Sequence, residues 1–266
     1  YGKRLLPTVS MREIEVVSEK QRVIRLSSET AGSAEEPQFR IVEIFESLQG
    51  EGYNTGMPAI FIRLGRCDLA CSWCDTDYMR FNYVPLSQVL AMLQGYTARN
   101  IIITGGEPVV HPRLGSLLDA LKERGYTLCI ETNGLHQVPE QIDYIATSPK
   151  ACYAERYVGG GLTEADEVRI VVDVDGVSSD VGGDLQPSDS EYPFDVTEKE
   201  RQFMHFAQAM AEKIKAQHYY LSPLEVAGEM NIHQTIRLIG LLNATDQANK
   251  VHWQLSVQTH KWAGIE

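Results

Sequence analysis

Seven short runs of apolar or β-branched residues recur along the chain, at 59–64 (AIFIRL), 100–104 (NIIIT), 126–131 (YTLCIE), 143–147 (DYIAT), 168–174 (VRIVVDV), 218–221 (HYYL) and 252–257 (HWQLSV). Runs of this length and composition suit buried strands of a parallel sheet. Helical patterns lie between them. Pro85 to Leu93 and Pro112 to Arg124 each begin near a proline, which suits a first helical turn, and the second closes on Gly125, a good stop signal. Glu198 to Gln217 and Met230 to Leu242 are two more candidates. Strands alternating with helices predict an α/β fold built from βα units on a parallel sheet. Periodicity alone does not choose between a barrel and an open sheet.

Two stretches stand outside this alternation. Residues 1–38 are mixed in charge, with Met11 as a candidate start, and read as an N-terminal extension to a domain spanning 39–266. Residues 173–197 hold seven Asp or Glu among Gly, Ser and Pro, which reads as an acidic surface loop.

Composition narrows the class of protein. The formal charge of −12 argues against a general phosphate-binding surface, and so against direct binding of nucleic acid. No apolar run approaches the roughly 20 residues that span a bilayer, so no membrane role is expected. Five cysteines in 266 residues are too sparse, and odd in number, for a disulfide-stapled secreted domain. No basic-then-apolar leader precedes Glu36. A reducing compartment, the cytoplasm, is the expected location.

Three of the cysteines carry the candidate chemistry. Cys67, Cys71 and Cys74 follow the 59–64 strand in the spacing Cys-x3-Cys-x2-Cys. Zinc usually takes four tetrahedral ligands in two pairs, and the nearest histidine after the triplet is His111, far downstream. Three thiolates instead suit three corners of a four-iron four-sulfur cluster, with one iron left open. S-adenosylmethionine (SAM) can chelate that iron and be cleaved by one electron to a 5′-deoxyadenosyl radical, the cofactors supplying the reactivity. Gly105-Gly106-Glu107-Pro108, directly after the 100–104 strand, strengthens this reading. Glycines there let backbone approach a ligand, such as the SAM amino group; an ordinary strand-to-helix turn is the alternative.

The same residues carry a family resemblance. Ile103-Thr104-Gly105-Gly106-Glu107-Pro108 resembles the SAM-binding motif of the radical SAM superfamily. Residues 43–52 (EIFESLQGEG), 61–64 (FIRL), 74–77 (CDTD), 131–134 (ETNG), 148–150 (SPK) and 256–261 (SVQTHK) together resemble the 7-carboxy-7-deazaguanine synthase family. The match runs in order from about Arg40 to the end. It implies an incomplete barrel of about six βα units. It also implies ring contraction of 6-carboxy-5,6,7,8-tetrahydropterin to 7-carboxy-7-deazaguanine with loss of ammonia, on the route to queuosine and other 7-deazapurines. Implied cofactors are the cluster, SAM and Mg2+; implied partners are flavodoxin or ferredoxin as electron donor and a second copy of the chain in a homodimer.

The resemblance also distributes roles. Gly105, Gly106 and Glu107 would meet the SAM amino group, and Ser148 and Lys150 its ribose and carboxylate, although a lone lysine is usually a surface residue. Trp73 and Asp75 would pack on or hydrogen-bond SAM, with simple loop packing the alternative for Trp73. Arg63 would pair with the substrate carboxylate or a ring acceptor, or else bridge the strand edge as a structural arginine. Leu48, Gln49 and Gly50 would offer backbone groups to the pterin and Thr104 a hydroxyl. His260 would line the pocket or support the terminal loop, and the Glu266 α-carboxylate would accept from the ring. Thr76, by itself a loop hydroxyl, becomes a magnesium ligand by resemblance. Cys129 reads as a small core residue, and Cys152 has no assigned role.

Overall fold

The structure, a computed structural model, describes residues 36–177, 195–226, 228–245 and 251–265. Most of the expected extension, residues 178–194 of the acidic loop and Glu266 lie outside the described residues.

Seven strands run parallel in one sheet: β2 (Pro58–Leu64), β4 (Asn100–Gly105), β5 (Thr127–Thr132), β6 (Tyr144–Thr147), β7 (Glu167–Val172), β8 (His218–Pro223) and β11 (Trp253–Leu255). All seven predicted runs are therefore strands. Two further strands extend the sheet, β1 (Gln38–Leu48) pairing antiparallel with β2 and β3 (Asn82–Pro85) antiparallel with β1, giving the order β11-β8-β7-β6-β5-β4-β2-β1-β3. Sequence reading left β1 out because alternating Glu43 and Glu46 break its apolar run. A separate hairpin pairs β9 (Glu225–Val226) with β10 (Glu229–Met230). The fold begins before residue 39: Glu36 accepts from the Ser87 backbone N–H at 2.6 Å and so caps the next helix.

Helices cover one face of the sheet. They are α1 (Leu86–Leu93), α2 (Leu114–Lys122), α3 (Glu198–Lys213) and α4 (Ile232–Thr245), followed by the short terminal α5 (Thr259–Ala263). Pro85 and Arg113 are N-cap residues, so both prolines lie just before their helices rather than in the first turn. Thr197 and Glu200 form a capping box that starts α3, and the helix ends four residues earlier than its pattern predicted, where Ile214 turns extended. The connections into β6 and β7 carry no α-helix; a 3-10 turn at Ala151–Tyr157 serves the second.

Period-two alternation sorts the strand side chains. Ile60, Ile62, Leu64, Ile101, Ile103, Leu128 and Ile130 pack under α1 and α2, and Val168, Ile170, Val172 and Leu221 under α3 and α4. The alternate positions, Phe61, Arg63, Ile102, Thr104, Cys129, Glu131, Glu167 and Arg169, point to the other face. That face is interior because the sheet curls. The segment after β1 meets the segment after β11: Gly52 N–H donates to Ser256 Oγ at 2.9 Å, Thr259 N–H to Gly50 O at 3.0 Å, and Gln258 Nε2 to Glu51 Oε1 at 2.7 Å. Opposite ends of one sheet are bridged this way, as an incomplete barrel requires.

Candidate radical SAM site

The segments that sequence reading assigned to the cluster and SAM follow parallel strands at their C-terminal ends, the end where barrel active sites are built. The cysteine loop follows β2, Gly105-Gly106 ends β4, Thr132-Asn133-Gly134 ends β5, Ser148-Pro149-Lys150 follows β6 and Asp173 follows β7.

The two glycines are required by the cysteine loop itself. A Cβ on Gly106 would lie 1.9 Å from the Arg66 carbonyl oxygen, and one on Gly105, at φ +125°, would lie 2.0 Å from that of Leu64. Those approaches are held by Gly106 N–H to Leu64 O at 3.0 Å and Glu107 N–H to Arg66 O at 2.8 Å. Arg66, at φ 82°, then turns the chain into Cys67.

Glu107 is 1 % exposed, and its carboxylate accepts from Thr132 Oγ1 at 2.8 Å, Asn133 N at 2.7 Å and Val109 N at 3.2 Å. Both oxygens are engaged inside the protein, so the side chain holds the turn after β5 in place. Burial raises its pKa. Asn133 passes the constraint on: its Nδ2 donates to Asp68 at 2.9 Å, while His136 and Arg156 meet the same carboxylate at 3.0 and 3.2 Å. Asp68, inside the Cys-x3-Cys spacing, is thereby fixed from three sides. Nothing in its sequence context signals this.

On the other side of the loop, Lys150 Nζ donates to Ser148 Oγ at 2.8 Å and lies 5.4 Å from the Trp73 ring centroid. Trp73 Nε1 donates to Asp173 at 2.7 Å. Ser148, Lys150 and Trp73 therefore come together, with Asp173 added. Asp75 is exposed and pairs with Lys261 of α5 at 3.4 Å. Thr76 is half-buried beside it, its carbonyl 3.8 Å from Cys74 Sγ.

The thiols differ in acidity. A hydrogen bond from Cys152, opposed by burial and aided by nearby Lys150, brings Cys71 down to about 7. Burial pushes Cys67 up to about 11 and also raises Cys74. Among the described residues no three His, Cys, Asp or Glu side chains converge at the spacing of a single ion. A cuboidal cluster takes each thiolate on a different iron, so its ligands need not converge on one point. Three soft donors on one anchored loop, with Lys150 favouring the anionic form of Cys71 and Cys74, fit such a cluster.

Deeper inside, charges that sequence reading missed form a network. Arg169 lies 2.8 Å from Glu131, 3.1 Å from Glu51 and 3.7 Å from Glu167. Thr104 Oγ1 and Gln49 Nε2 both donate to Glu131, at 2.8 and 3.2 Å. Burial would raise the Glu131 pKa, but Arg169, Thr104 and Gln49 outweigh it and hold the carboxyl down at about 2. The signal was a charge inside each of the apolar runs EVRIVV and TLCIET. Register puts Glu131 and Glu167 at one level, since both pair with Ala146, and Arg169 follows two residues on along the same face of β7. Arg63 gives its Nε to Glu43 on β1 at 2.7 Å, the structural arrangement weighed as an alternative for it. Leu48 is 42 % exposed at the end of β1, away from this network. His260 covers Gly50, where a Cβ would lie 2.0 Å from its Nδ1.

Residues 61–180 match the model of the Radical SAM superfamily. The chain is 58% identical to the 7-carboxy-7-deazaguanine synthase of Neisseria meningitidis serogroup B over 232 residues, covering 87% of this chain and 96% of that protein. The chain belongs to the 7-carboxy-7-deazaguanine synthase family. A second member, from Haemophilus influenzae, is 49% identical with the same coverage of each chain. The crystal structure of QueE from Escherichia coli superposes with a TM-score of 0.54 at 28% identity, covering 84% of this chain and 95% of that one. Family membership makes this chain a radical SAM enzyme with an α/β fold, as its sequence predicted. Among the described residues no helix is long and apolar enough to cross a membrane.

Proposed function

We propose that this chain converts 6-carboxy-5,6,7,8-tetrahydropterin to 7-carboxy-7-deazaguanine with loss of ammonia, in 7-deazapurine and queuosine biosynthesis. The observation that carries the reading is the packing of Gly105-Gly106 onto the first turn of the cysteine loop in a chain 58% identical to a named synthase. Cys67, Cys71 and Cys74 would hold a four-iron four-sulfur cluster, which together with bound SAM would supply a 5′-deoxyadenosyl radical.

The protein's own part is positioning. Lys150 and Ser148 supply a cation and a hydroxyl for the carboxylate and ribose of SAM, beside Trp73 and Asp75. The Gly105 and Gly106 backbone serves the amino group, and Glu107 acts from behind by fixing that turn. In the interior, three carboxylates face one guanidinium, so acceptors are in excess. A pterin presents N–H donors along its amino-pyrimidine edge, which suits Glu51 and Glu131. Arg63, with Nε engaged by Glu43, retains its Nη edge for the substrate carboxylate. Gln49, Gly50, Thr104 and His260 border the same space, and Leu48 contributes only through its backbone. Thr76 would ligate Mg2+, which also takes water and substrate oxygens. A flavodoxin or a ferredoxin would serve as electron donor, and the chain would act as a homodimer.

Purified anaerobically and supplied with iron and sulfide, the wild-type chain is expected to turn brown and bind close to four irons, a count set by the cluster type. The Cys71→Ala chain should do neither. A stable four-iron chromophore in that variant would refute the ligand assignment.

A further inference from the structure

Three segments that follow three different strands converge on one ammonium. Lys261 Nζ of α5 lies 3.1 Å from Glu225 Oε2, on β9 just beyond β8, and 3.4 Å from Asp75 Oδ2, in the cysteine loop between Cys74 and Thr76. A lysine suits such a meeting, since its three N–H donors can serve two carboxylates at once. At its other end α5 is tied to the barrel interior. Thr259 N–H and Oγ1 both donate to Gly50 O, at 3.0 and 2.9 Å, and Gln258 Nε2 donates to Glu51, which pairs with Arg169. α5 therefore spans from the interior charge network to the cysteine loop, the two parties that the function proposed above brings to one substrate. A helix of five residues is not stable by itself, and none of these five is buried; Trp262 is 64 % exposed. With no apolar face to seat it, α5 keeps its position through these polar ties. They also hold His260, next to Lys261, against Gly50.

We propose that Lys261 is a positioning residue for the substrate: its clasp on Asp75 and Glu225 holds α5, and His260 with it, against the pterin space and so sets the affinity for the pterin. The inference rests on the function proposed above. Lys261 touches no reacting atom in this role. Opening the clasp lowers the fraction of the chain that is ready to bind, and apparent affinity falls by that fraction, whereas bound substrate draws α5 back and turns over at the usual rate. The effect is modest, because the Lys261 side chain is 33 % exposed and each such ion pair is weak alone. It is also electrostatic, so salt weakens it.

The test uses the reconstituted full chain with saturating SAM and 6-carboxy-5,6,7,8-tetrahydropterin. Lys261→Met is expected to raise KM for the pterin roughly three- to ten-fold with kcat within about two-fold, the range that two partly exposed ion pairs allow. Lys261→Arg restores most of the affinity, and Glu225→Gln, which leaves Asp75 paired, gives a smaller shift in the same direction. Added salt raises the KM of the wild type more steeply than that of Lys261→Met. Hydrogen exchange of residues 259–265, read by mass spectrometry without pterin, is faster in Lys261→Met than in the wild type. An unchanged KM, a loss confined to kcat, or equal exchange in the two chains would overturn the proposal. No product from the wild type would instead defeat the substrate assignment, and the exchange comparison would still decide whether Lys261 holds α5.

Discussion

Trp73 Nε1 donates to Asp173 Oδ2 at 2.7 Å across a separation of 100 residues. This bond ties the cysteine loop to the end of β7, where the acidic segment begins. Lys150 packs on the same indole, so one ring is held from its edge and its face.

Replacing Trp73 by Phe keeps the face and removes the edge. A hydrogen bond to a charged group is worth roughly 1.5–3 kcal/mol, less here because the loop is partly exposed. Trp73→Phe is expected to lower global stability by under about 1 kcal/mol while weakening SAM binding several-fold, read by calorimetric titration of the reconstituted enzyme. Unchanged SAM affinity would mean that the tie does not organise the cofactor site.

Glycine is needed at 106 for lack of space. The atom met by an added Cβ is backbone, so no side-chain rotation relieves the overlap. Gly106→Ala should cost about 3 kcal/mol and lower the iron content of the purified chain. Gly240, exposed in α4 with nothing within 4 Å of an added Cβ, is the control: Gly240→Ala should gain about 0.5–1 kcal/mol in urea unfolding.

Arg169 is surrounded by carboxylates, and removing it leaves them buried with no cation. Arg169→Met is expected to destabilise the fold by about 3–5 kcal/mol, and Glu51→Gln by much less, because Arg169 keeps Glu131 at 2.8 Å. Chemical denaturation of the two variants side by side checks the order.

The seven parallel strands were legible because each is an apolar run, and the site motifs were legible because the cysteines are rare residues in fixed spacing and the paired glycines sit directly after a strand. What escaped was set by neighbours in space. Glu131 and Arg169 looked like interruptions of apolar strands, yet they share the interior face with Thr104 and meet only through the barrel's curl. Asp68 gained its role from Asn133, His136 and Arg156, all distant in the chain. β1 was missed because its glutamates serve local partners: Glu43 pairs with Arg63, and Glu46 caps the Thr97–Ala98 backbone N–H groups at 2.8 and 2.5 Å.

His111 gives the fold a pH signature. Buried and stacked 5.2 Å from Phe39, its ring accepts from the Arg40 N–H at 3.2 Å. Burial, with the charges of Arg40 and Arg113, lowers its pKa from 6.5 to about 4. The folded state resists protonation that the unfolded chain accepts, so this stability is full above pH 6.5 and is lost as pH falls from 6.5 towards 4. The loss is about 2–3 kcal/mol. His111→Gln should flatten the unfolding free energy across that window; an unchanged slope would assign it to other groups.

Most direct is mass spectrometry of an anaerobic reaction of the reconstituted wild-type chain with SAM, magnesium, a reductant and 6-carboxy-5,6,7,8-tetrahydropterin. The account predicts 7-carboxy-7-deazaguanine, with SAM not consumed in proportion to product. Formation of 5′-deoxyadenosine with the pterin left intact would contradict it.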